Sequence, residues 1–183
     1  MSFSLKNHFI LKANYNQRLN QQVYHCASQL SDSDRKLDRK AFFHSIHNTL
    51  NHIMVGDLAW LGRFAKHKTA YAALDILGDY PKPKALDEVL FENFEELKSK
   101  RESLDEAIIT WVSDDIEAKD YDEVFEFQRM NGETYRLNFA EVLFHFFNHQ
   151  THHRGQVSTL LSQCDQDIGV TDFLMDIPNE GAR

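Results

Sequence analysis

A chain of 183 residues with 42% apolar positions, including 14 Phe, carries enough hydrophobic material for one core and falls in the size range of a single domain. Seven Gly and three Pro argue against a turn-rich β fold, and a formal charge of −8 repels a phosphate backbone, so no nucleic-acid partner is expected. Cys26 and Cys164 lack CxxC spacing and make no disulfide framework, which fits a reducing compartment.

The first residues, MSFSLKNHFILKANYNQRL, lack the apolar run of a signal peptide, and no segment approaches the ~20 apolar residues of a membrane span. A cytoplasmic protein with no membrane partner is expected. Residues 7–30 place Phe9, Ala13, Leu19, Val23, Cys26 and Leu30 at roughly helical spacing, until SDSD at 31–34 breaks the pattern. A second helix over about 39–66 shows Phe42, Ile46, Leu50, Ile53, Asp57, Trp60, Leu61 and Phe64. The YPKP stretch at 80–83 ends a short helix before it. A third long helix over about 85–112 has Leu86, Val89, Leu90, Phe94, Leu97, Leu104 and Ile108 as its apolar stripe.

The segment DEVFEFQRMNGETYRLNF then sets Asn131-Gly132 between arms rich in aromatic and branched residues, the pattern of a hairpin closed by a type I′ turn. A fourth long helix starts after Asn138, whose side chain is placed to cap it, with Glu141 three residues on, and runs to about Cys164. The tail DIGVTDFLMDIP is apolar enough to pack back on the body. With no repeat or linker, residues 1–183 read as one all-α domain, a four-helix bundle with a small β-hairpin before its last long helix.

That last helix raises a chemical question, because HFFNHQTHHRGQ (145–156) holds four of the chain's ten histidines. On a helical wheel His149 and His153 fall inside the apolar stripe of Phe139, Val142, Phe146, Val157, Leu160 and Cys164, with His145 and His152 at its edge. Residues four apart project together, close enough for both imidazoles to reach one ion. The plainer reading is a pair of hydrogen-bonded core histidines, and spacing alone leaves the two readings even. Gln150 stands where an HExxH metalloprotease has its glutamate, which disfavours that mechanism. A third ligand would come from the second helix. There His47 points away from the stripe toward solvent, His52 lies nearer its edge, and Asp57 falls within it as a carboxylate in need of a metal, an arginine or a histidine N–H. Periodicity does not choose among these. Cys26 and Cys164 read as inert core thiols, and Tyr15, Glu141 and His145 stand as unranked acid–base candidates, so no catalytic residue is assigned.

The spacing of His52, Asp57 and Trp60, followed downstream by NHQTHHRGQ, resembles the DinB-like family, related to the YfiT-type metal-dependent hydrolases. Tyr15-Asn16 and the Asn131-Gly132 hairpin extend the likeness over nearly the whole chain, and NHxxHHRGQ is its most specific part. The resemblance implies a four-helix bundle, often a homodimer, holding a divalent metal, zinc or nickel, on three histidines. Carried over by motif, these are His52, His149 and His153, and the likeness selects His52 over His47. Asp57 would orient a ligand or a bound water, while Arg154, Gly155 and Gln156 match the family's RGQ and read as structural, Arg154 fixing a neighbouring helix or the dimer contact and Gly155 permitting close packing. Relatives by fold include thiol-dependent transferases and isomerases. The implied function is therefore a metal-dependent enzyme, either a transferase using a low-molecular-weight thiol or a hydrolase acting on a small molecule. The alternative is a non-catalytic metal-binding stress or ligand-sensing protein.

Overall fold

The computed structural model describes residues 4–68, 70–128, 132–179 and 181. The chain is mostly helical, with one two-stranded antiparallel hairpin. Four helices are long: α1 (Leu5–Ser28), α3 (Ile46–His67), α4 (Phe94–Thr110) and α5 (Phe139–Ser162), with the short α2 (Asp32–Lys36) between the first two. Each long helix begins at a capping side chain. Ser4, Ser45, Asn93 and Asn138 accept from the backbone N–H three residues on, satisfying one donor that the first turn leaves without a helical partner. SDSD likewise does more than break a pattern, since Ser31 caps α2.

Two helices start later than periodicity suggests. The second begins at Ile46, because Lys40 and His44 adopt positive φ (60° and 67°) and fold residues 38–45 into a turn closed by His44 N–H to the Ala41 carbonyl. Phe42, expected on a buried stripe, is 83% exposed on this turn, and Phe43 is buried in its place. The third begins at Phe94, and 85–93 is irregular chain that leaves Leu86 exposed. A 3-10 turn over Ala72–Asp79 ends at Tyr80, where the YPKP stretch predicts a stop.

α5 packs against α1 and α3, α1 also packs against α4, and α3 touches α4. At one end the core is aromatic: Phe64 stacks on Phe125 at 4.8 Å and lies 5.0 Å from fully buried Trp111 and 5.4 Å from Phe139. Each such ring contributes about 1.5–3 kcal/mol through burial. The strands β1 (Val124–Gln128) and β2 (Thr134–Asn138) pair from Val124↔Asn138 to Gln128↔Thr134. Residues 129–131 lie outside the described residues, and the type I′ turn expected at Asn131-Gly132 falls partly on them. Gly132 takes φ +85°, where glycine is favoured. The tail returns to α1 as expected, with Phe173 edge-on to Tyr15 at 5.1 Å and Ile168 against the core, and polar ties add to this. Arg18 pairs with Asp176 at 2.5 Å and Tyr15 Oη donates to the Thr171 carbonyl, whereas Leu174 and Met175 stay exposed. Among the described residues no helix is long and apolar enough to cross a membrane.

Candidate metal centre

Packing of α3 on α5 brings His52, His149 and His153 together, each with a ring nitrogen within 4.8 Å of the others'. His52 is buried, the other two half-buried. Two of the three rings have their tautomer set by a neighbour. His52 Nδ1 lies 2.6 Å from the Leu86 carbonyl oxygen, which only accepts, so the proton sits on Nδ1. His153 Nδ1 lies 2.8 Å from Gln156 Oε1 and donates likewise, while Gln156 Nε2 turns to His152 Nε2 at 3.4 Å. Both Nε2 atoms therefore present lone pairs, and they face each other at 3.1 Å. Two acceptors at that distance repel unless a proton or a cation lies between them.

His149 completes the cluster, its ring centroid 4.5 Å from that of His153 and 5.3 Å from that of His52. No hydrogen bond satisfies its buried Nδ1. Burial, reinforced by the neighbouring imidazoles, pushes its pKa down to about 3, and burial also lowers His52 and His153 below the ordinary histidine value. All three rings are thus neutral at pH 7, the state a metal requires. Phe43 stacks on His52 at 3.8 Å and covers one side. On another side Gly56 of α3 gives His149 its place. A Cβ there would stand 3.0 Å from Nδ1, 3.3 Å from Nε2 and closer still to Cε1. The donor set fits a divalent ion of the borderline class: three neutral imidazoles, one orphaned buried nitrogen and one pair of converging lone pairs.

The other polar residues divide by place. His47, read as solvated, is buried and is not part of the cluster. Asp57 faces Arg101 of α4 at 2.5 Å rather than a histidine. Arg101 Nη2 in turn lies 2.8 Å from Asp105, which accepts from Asn16 and Asn20 of α1. Burial opposes the charge on Arg101, but Asp105 and Asp57 outweigh it and hold the guanidinium above the ordinary arginine value. Arg154 reaches Asn16 and Asn20, the tie to a neighbouring helix expected of it. Gln156, read as structural, instead holds a site histidine by its proton. Gly155 meets nothing within 4 Å of where a Cβ would stand, so close packing does not explain it. Tyr15 is engaged with the tail, and Cys26 and Cys164 donate to backbone carbonyls.

A cleft of about 690 Å³ opens beside the cluster, with His149, His145 and Glu141 of α5, Trp60 of α3, Leu86 and the hairpin along its walls. His145 and Glu141 are thus the acid–base candidates that share a space with a site histidine. A second concavity, about 390 Å³, lies between α1 and α4 over Arg101 and Asp105, and none of the three histidines lines it.

The DinB family's sequence profile matches residues 1–180. Protein DinB of Bacillus subtilis (strain 168) is 24% identical over 159 residues, 87% of each chain. No solved structure matches. With the profile spanning almost the full length, the chain belongs to the DinB family.

Proposed function

We propose that His52, His149 and His153 bind one divalent metal ion and that the centre is catalytic toward a small molecule admitted through the adjoining cleft. The four long helices would then form a four-helix bundle around it. The observation that carries this reading is the convergence of two Nε2 lone pairs at 3.1 Å, each fixed by an Nδ1 proton committed elsewhere. A purely structural histidine pair would share a proton across that contact. Here the Leu86 carbonyl and Gln156 leave neither ring a second proton at neutral pH.

When bound, such an ion supplies Lewis acidity, polarising a substrate oxygen or lowering the pKa of a thiol or water, and three protein ligands leave it a position for them. The chain's own residues do the rest. Leu86 and Gln156 orient two imidazoles, Phe43 shields them from water, and His145 and Glu141 stand in the cleft as proton carriers. Both a thiol-dependent transfer and a hydrolysis are compatible with that layout.

Elemental analysis of untagged protein purified without added metal tests the proposal, alongside His52→Ala and His153→Ala. About one equivalent of metal per chain, lost in both variants while helical content is kept, is expected. Wild-type protein that takes up no metal even on reconstitution refutes it.

A further inference from the structure

The hairpin explains what the cleft is built to receive. Alternation along β1 buries Phe125 and Phe127, and their cross-strand partners Leu137 and Tyr135 share that face. Phe125 is sealed in the core, but Leu137 is 44% exposed, and Leu86 on the same cleft is 56% exposed. Two large aliphatic side chains thus line the opening without protein to cover them. Between them the walls are aromatic and set at an angle. Phe127 and Tyr135 lie parallel, 5.9 Å apart, and Trp60 meets Phe127 edge-on at 5.2 Å and 67°. These rings touch one another, and the Arg63 guanidinium lies 4.6 Å over Trp60, so the wall offers a planar ring edge-to-face, offset-parallel and cation–π contacts. A volume of about 690 Å³ suits a small molecule rather than a folded partner. His149 also lines the cleft.

From this we infer that the substrate is a ring-bearing hydrophobe, its aromatic body seated among Trp60, Phe127, Tyr135 and Leu137 and its reacting group directed to His149. The inference rests on the metal-centre reading for the role of the reacting group, but not for the seating of the ring.

The chain has two tryptophans, and Trp111 is fully buried, so Trp60 alone can report an occupant directly. Full-length protein labelled with 5-fluorotryptophan is titrated with 2-naphthol, 1-hexanol and 2-naphthalenethiol, metal-free and zinc-loaded, and watched by fluorine NMR. The expected result is a saturable shift of the Trp60 resonance by 2-naphthol in both forms, with 1-hexanol at least about tenfold weaker. Leu137→Glu, on an exposed strand position, should weaken 2-naphthol by about tenfold or more without unfolding the protein. The thiol should bind at least about tenfold tighter than 2-naphthol in zinc-loaded protein, and lose that gain in His149→Ala. No saturable shift by 2-naphthol, or equal binding of 1-hexanol, overturns the ring-bearing substrate even where zinc binds. Ring binding with no gain for the thiol on zinc loading supports the seat and overturns the direction of the reacting group to the metal, while protein that takes up no zinc overturns the metal-centre reading alone.

Discussion

Gly56→Ala is the smallest change that should dismantle the proposed metal centre without replacing any of its three histidines. The added methyl would stand 3.0 Å from His149 Nδ1 and nearer to Cε1, whereas carbon atoms settle at about 3.5–4.0 Å. The backbone of α3 holds the methyl in place, so the imidazole, whose Cε1 stands closest, must give way by roughly 1 Å or more. Metal sites tolerate ligand displacements of only about 0.2 Å, so one of three ligands is effectively withdrawn. Losing a ligand's supporting hydrogen bond already costs about 10–100-fold in affinity, and losing the ligand's position should cost about 100-fold or more. The fold should survive: crowding costs about 1–3 kcal/mol, and alanine returns about 0.5–1 kcal/mol over glycine inside a helix. Gly62→Ala is the control, because a Cβ there meets nothing within 4 Å on the same helix. Competition with a chelator measures metal affinity, and thermal melts followed by circular dichroism measure the fold. Wild-type affinity in Gly56→Ala would show that His149 does not bind from the position it occupies here, and the three-histidine centre would fall with it.

Three further outcomes follow from the same geometry. Gln156→Leu removes the acceptor of the His153 Nδ1 proton and should weaken metal binding by about 10–100-fold, with Gln156→Glu restoring it; equal affinity in the leucine variant would deny Gln156 an orienting role. Because burial depresses the pKa of His149 to about 3 and lowers those of His52 and His153, the unfolded chain takes up more protons than the folded one below pH 6.5. Metal-free protein should therefore keep its full stability above pH 6.5 and lose it progressively as pH falls toward 3, less steeply in His149→Ala; a melting temperature that rises on acidification from pH 7 to 5 contradicts the burial. Gly155→Ala, with open space at the Cβ, should leave metal affinity unchanged and stabilise by about 0.5–1 kcal/mol, and lost metal binding there would mean that the RGQ glycine serves the site.

The four long helices were legible because their apolar residues recur at helical spacing, and so was the cap at Asn138. Their starts were less so. Phe42 fits the stripe of the second helix in register, but positive φ at Lys40 and His44 turns the chain just before it could begin. Neither is a glycine, so composition gave no warning. His149 and His153 could be read from the wheel because both lie on one helix. His52 needed the family resemblance, since its place depends on how α3 meets α5, and the same wheel put His47 in water when tertiary packing buries it. Gly56 carried a faint signal, a glycine inside the helix that bears His52, and costly there unless something needs the space.

Gln150 and Arg154 show why so polar a run can sit within α5. They repeat the four-residue spacing of His149 and His153 one residue later, and so project about 100° around the helix. That second stripe faces another interior: Gln150 is fully buried, and Arg154 binds Asn16 and Asn20. The ion pairs of Arg101 with Asp57 and Asp105 complete a network joining α1, α3, α4 and α5. Breaking one member of such a buried pair typically costs about 3–5 kcal/mol, because the other charge is left without a partner. Rotation of α5 about its axis would withdraw Arg154 from the two asparagines as it withdrew His149 and His153 from His52. The buried network therefore fixes the rotation of α5 that the histidine cluster requires. The density of polar residues in NHQTHHRGQ reflects two neighbouring stripes with separate work, one assembling the candidate centre and the other locking the helix that presents it.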